Sequence, residues 1–96
     1  MNKTVEVLIT WLPENEGGRK KLIPVDVRYY PLIYSKAIPF DGTTWSVSIY
    51  HKKISGLISE ADMSFLSPDA PHEVLTTGMV FDLYEGPKCV ASGEII

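Results

Sequence analysis

Apolar residues recur at every second position through most of this chain, and that rhythm constrains its fold more than any other feature. In Thr4-Val5-Glu6-Val7-Leu8-Ile9-Thr10-Trp11-Leu12, Val5, Val7, Ile9 and Trp11 share one face while Glu6, Leu8, Thr10 and Leu12 share the other. A period of two is that of a strand, whose successive side chains point to opposite sides. Val, Ile, Thr and Trp also suit a pleated, half-buried surface. The device recurs. Trp45, Val47 and Ile49 alternate with Ser46, Ser48 and Tyr50, and Ala61, Met63 and Phe65 with Asp62, Ser64 and Leu66. Met79, Phe81 and Leu83 then form one face of Met79–Glu85.

Turn chemistry separates these runs. Pro13 ends the first by removing a backbone donor, and residues 14–21, Glu-Asn-Glu-Gly-Gly-Arg-Lys-Lys, read as the connection after it. Pro24, Pro31 and Pro39 interrupt the next segment, so short or bulged strands are expected over Val25–Tyr30 and Leu32–Ala37, at an edge or a barrel rim. Asp41-Gly42 signals a turn, residues 68–78 a loop or irregular crossover, and Glu85-Gly86-Pro87 a terminal hairpin. About six short strands without a convincing helix predict an all-β sandwich or barrel. Closure into a barrel removes the apolar edges that the strands would otherwise expose.

With 96 residues the chain reads as one domain, residues 1–96, large enough for a modest core. The net charge of −3 argues against a free-standing nucleic-acid binder, whose affinity comes largely from neutralising phosphates. A single cysteine, Cys89, precludes an internal disulfide and fits a reducing compartment. The N-terminal residues lack the pattern of a secretion signal, and no apolar run approaches the roughly 20 residues of a membrane helix. A soluble cytoplasmic protein with no membrane association is therefore expected.

No residues carry an obvious catalytic or metal-binding pattern. His51 follows Tyr50 at a strand end and His72 lies in the 68–78 loop; both read as surface or rim residues at no metal-ligand spacing. Cys89, beside Val90 and Ala91, reads as a buried, inert thiol, with a Cys–His nucleophile pair as the functional alternative. Glu14, Glu16, Glu60, Asp62, Asp69 and Glu73 are scattered over turns and strand ends and read as solvated. No cofactor is expected.

Binding offers more. Arg19, Lys20 and Lys21 form one basic cluster, and His51, Lys52 and Lys53 a second. Arg28 with Tyr29, Tyr30 and Tyr34 mixes cationic and aromatic groups. Arg19, Lys20, Lys21, Arg28, Tyr29 and Tyr30 are thus the candidate partner-binding residues. Such a set suits a protein interface, where Tyr and Arg are enriched, or stacked bases and phosphates; the acidic balance disfavours RNA. Solvated lysines and core-facing tyrosines are the plainer reading.

Two motifs extend the argument. The first strand followed by Glu16-Gly17-Gly18-Arg19, then Arg28-Tyr29-Tyr30-Pro31-Leu32-Ile33-Tyr34, resembles the start of the third, C-terminal β-barrel domain of elongation factor Tu. Residues 81–95, with Phe81, the Glu85-Gly86 turn, Val90, Gly93 and Ile95, resemble the final hairpin of that domain. The resemblance runs nearly end to end, and it implies a six-stranded antiparallel β-barrel. It implies no GTPase activity, because the GTP-binding domain and its phosphate-binding loop have no counterpart here. Where that family contacts aminoacyl-tRNA through roughly Gly-Tyr-Arg-Pro-Gln-Phe, this chain reads Asp26-Val27-Arg28-Tyr29-Tyr30-Pro31-Leu32-Ile33, which weakens the case for tRNA binding.

The expectation is therefore a free-standing relative of that barrel, acting as a non-catalytic interaction module whose partner is another protein. One alternative is a stand-alone immunity or inhibitor protein that neutralises a toxin or enzyme through an acidic face. Others are RNA binding through Arg19, Lys20, Lys21, Arg28 and Tyr30, and a small hydrolase around Cys89 and a histidine.

Overall fold

A computed structural model describes residues 3–13, 15, 28–38 and 44–96. Within them lie seven strands: β1 (Val5–Trp11), β2 (Arg28–Tyr29), β3 (Leu32–Tyr34), β4 (Trp45–Ser55), β5 (Ile58–Phe65), β6 (Val80–Glu85) and β7 (Lys88–Ile95). One 3₁₀ turn, His72–Val74, interrupts the connection from β5 to β6. All pairings are antiparallel, in the order β4-β3-β6-β7-β1-β5, and β5 pairs back onto β4. The molecule is therefore a closed six-stranded antiparallel barrel, with β2 as an additional short segment.

The proline rule explains that extra segment. Arg28 pairs with Tyr50 and Tyr29 with Ile49, while Leu32 pairs with Ser46 and Ile33 with Trp45. Each pair of residue numbers sums to 78, so β2 and β3 lie along β4 in one register. Pro31 breaks the ladder between them because it has no N–H to give. Its carbonyl still accepts from the Val47 N–H at 3.0 Å.

Strand β3 is shorter than the expected Leu32–Ala37. Ser35 Oγ donates to the Val80 carbonyl at 2.6 Å and accepts from the Ala37 N–H at 3.2 Å, which turns the chain away from the sheet. The expected Asp41-Gly42 turn, the 14–21 connection apart from Asn15, and the first residues of the Val25–Tyr30 strand lie outside the described residues.

The core is the inward half of each alternation. Val7, Ile9, Trp11, Val47, Ile49, Ala61, Met63, Phe65, Phe81 and Leu83 are all buried. Two hairpins close with a two-residue connection that begins with glycine at positive φ, Gly56 (60°) between β4 and β5 and Gly86 (59°) between β6 and β7. This backbone matches the twist of paired strands and favours glycine.

Two bulges adjust the pattern. Val90 is the extra residue between the pairs Leu83–Ala91 and Tyr84–Cys89, so Val90 and Ala91 both turn inward. Lys52 is the extra residue between His51–Ala61 and Lys53–Glu60, so Lys52 and Lys53 both turn out to solvent. The connection from β5 to β6 also joins the core, contributing buried Ala70, Leu75 and Met79.

Candidate interaction surface

Among the candidate residues, the described structure separates Arg28, Tyr29 and Tyr30. Arg28 is exposed; it lies over the Tyr50 ring at 5.3 Å and donates from Nη1 to Ser48 Oγ at 3.1 Å. Tyr29 points the other way, packs on Trp11 with ring centroids 5.7 Å apart, and donates its hydroxyl to the Glu85 carboxylate. Tyr30 is 55% exposed. Strand alternation alone causes this split: Arg28 and Tyr30 are two apart and share the outer side, while Tyr29 faces the core. Arg19, Lys20 and Lys21 lie outside the described residues.

The second basic cluster does not survive as a cluster. His51 is fully buried, because β4 runs on to Ser55 and His51 continues the inward series Val47, Ile49. Its ring lies 5.6 Å from that of Trp11, and neither nitrogen has a hydrogen-bond partner among the described residues. Burial pushes the imidazole below its ordinary pKa, favouring the neutral form. Lys52 instead reaches across the outer surface to Asp62 Oδ1 at 3.0 Å and Glu6 Oε1 at 3.8 Å. The Asp62 hydrogen bond holds its ammonium above the ordinary lysine value, against partial desolvation.

The reading of His72 as a surface or rim residue needs only refinement. Its Nε2 lies 3.1 Å from the Ser67 carbonyl and 3.3 Å from that of Pro68, and its ring meets Phe65 edge-on at 5.6 Å. Cys89 is half-buried rather than sealed in, since its place before the bulge leaves it opposite Tyr84 on the outer side. Its thiol bonds to the Ala91 carbonyl at 3.7 Å. The Tyr84 phenol beside it is held above its ordinary pKa, first by Cys89, then by burial and by Asp82. Neither histidine hydrogen-bonds to Cys89: His51 has no such partner, and His72 is engaged with loop carbonyls. Among the described residues, no three His, Cys, Asp or Glu side chains gather as a metal site.

A different surface was not foreseen from sequence. On the outer side of β3, β6, β7 and β1, Tyr34 is paired with Asp82, Asp82 with Ser92, and Ser92 with Thr10. Two residues along the strands, Val80 is paired with Glu94 and Glu94 with Leu8. These side chains line an open groove of about 440 Å³. Its walls are large apolar groups left in water: Val80 is 64% exposed, Tyr34 42% and Leu8 38%. Its floor is low because Ser92 and Thr10 are small. Asp82 and Glu94 stand among the apolar groups, with Lys36 at the Tyr34 end. The alternation of Leu8 with Val7 and Ile9 was legible; its meeting with Val80 and Tyr34 required the register.

The chain matches no family model and no curated protein significantly.

Proposed function

We propose that the chain is a small β-barrel interaction module, without GTPase or other catalytic activity, whose partner is another protein. The observation that carries this reading is the meeting of Leu8, Tyr34 and Val80 over one groove with a polar rim. Single exposed apolar residues are ordinary on a soluble protein, but several around one depression with polar edges have the composition of a recognition surface. Kinship with the third barrel of elongation factor Tu is part of the proposal. It is supported by the closed six-stranded architecture and by the pairing of Phe81 with Gly93, two positions of the hairpin motif. A cytoplasmic setting is proposed from the single unpaired cysteine.

The test is affinity purification of the tagged protein from its own cell, with mass spectrometry of what accompanies it. A partner held at stoichiometric level is expected. Recovery of the barrel alone, across gentle and cross-linked preparations, would sink the reading.

The inhibitor reading is favoured by one specific observation, the carboxylates Asp82 and Glu94 within the apolar groove, which have no salt-bridge partner among the described residues. It predicts that the captured partner is an enzyme or toxin whose activity the barrel suppresses at equimolar ratio.

A further inference from the structure

We infer that this groove binds a basic protein surface, one that presents lysine or arginine on either side of an apolar side chain. The inference rests on the protein-binding reading above and specifies its partner.

Three observations lead to it. The outer side chains form a chequer: Glu94 stands between Leu8 and Val80 along one cross-strand row, and Asp82 stands beside Tyr34 along the next. Neither carboxylate has a salt-bridge partner among the described residues. By contrast, Glu6 farther along β1 and Asp62 on the adjoining β5 are already engaged by Lys52. Cationic groups of a partner can therefore pair with Asp82 and Glu94 without displacing an internal bond.

The depression over Ser92 and Thr10 leaves room for an inserted side chain between the flanking apolar groups. An apolar insert covers Leu8 and Val80, and shielding from water strengthens the flanking charge pairs. An acidic partner would instead meet like charges, which disfavours association. A second copy of this chain is disfavoured for the same reason, since it brings the same carboxylates and a further −3 of net charge. Lys36 at one end is the groove's only cation among the described lining residues, and it marks where the basic requirement stops.

The experiment immobilises the whole chain and exposes it to lysate from its source cell, with and without nuclease treatment. Asp82→Lys/Glu94→Lys, Val80→Ser and Arg28→Ala/Tyr30→Ala are run beside it. All five positions are exposed, and matched denaturation curves confirm that each variant is folded. The expected result is capture of a protein with a basic contact surface. Its retention falls roughly tenfold or more with the charge reversal and with Val80→Ser, and is unchanged by Arg28→Ala/Tyr30→Ala.

A captured partner that is indifferent to both groove variants, or that is lost with Arg28→Ala/Tyr30→Ala, overturns this inference and leaves the protein-binding reading standing. So does an acidic partner. A concentration-dependent dimer broken by Val80→Ser overturns it by showing that a second copy occupies the groove. Capture of nothing, or of material that nuclease treatment abolishes, overturns both this inference and the reading on which it rests.

Discussion

The ring of Phe81 lies directly over Gly93 on the neighbouring strand, so close that a Cβ on Gly93 would stand 2.5 Å from Phe81 Cζ. It would also stand 3.2 Å from the Leu8 carbonyl oxygen, a backbone atom that cannot swing away. Gly93→Ala is therefore expected to destabilise the barrel by about 1–3 kcal/mol, the usual result of overfilling a packed core. Phe81→Leu should recover part of that loss. A double-mutant cycle by urea denaturation checks it, and additive effects would place the strain elsewhere.

Buried His51 makes stability depend on pH. Its folded pKa lies below the ordinary value of 6.5 that the unfolded chain shows, so the unfolded state takes up the proton first. The part of the stability linked to His51 is complete above pH 6.5 and is lost as pH falls from there toward the folded pKa. His51→Leu removes the titrating group and both unpartnered nitrogens, and should flatten this part of the profile. Denaturation midpoints of both proteins between about pH 7.5 and 4.5 provide the measurement, with the difference between them as the signal. Parallel profiles would show that His51 is not the source of the pH dependence.

Trp11 and Ser59 form a buried hydrogen bond, Nε1 to Oγ at 2.8 Å, between β1 and β5. Ser59→Ala leaves an indole N–H with no acceptor in the core and should cost about 1–3 kcal/mol. Ser59→Thr keeps the hydroxyl and is the control. Thermal or urea unfolding followed by tryptophan fluorescence reads both.

Leu75 is fully buried although it belongs to the connection between β5 and β6. Leu75→Ala is expected to cost about 2–5 kcal/mol, as for a core strand residue, by leaving a cavity. Glu73→Ala, exposed on the same connection, should be close to neutral. A calorimetric comparison of the two decides whether this segment is structural.

These examples show which parts of the structure the sequence could reveal. Local periodicity specified the inward faces of β1, β5 and β6, and the turn chemistry of Glu85-Gly86 specified a hairpin. His51 also continued the period of Val47 and Ile49, but its polar side chain favoured a surface reading. Only closure of the barrel around it explains a neutral ring in the core. Leu75 offered no periodic signal, because a loop residue is buried by whatever it lies against. The groove was hidden for a related reason. Leu8, Tyr34 and Val80 are far apart in sequence, and the register of four strands brings them together. Arg28, Tyr29 and Tyr30 were adjacent in sequence, and the same pleat turns them apart.

Each of the six strands in the ring has a hydrogen-bonded neighbour on both sides. Among the described residues only the short β2 lies outside that ring with a single neighbour, so an incoming chain finds little flank along which to extend the sheet and recognition falls mainly to outward side chains. Those side chains contribute little to the interior that holds the ring shut. The barrel can consequently be regarded as a mount and its outer positions as exchangeable lettering. Changing residues such as Val80, Asp82 or Glu94 would redirect what the molecule binds while the mount stays folded.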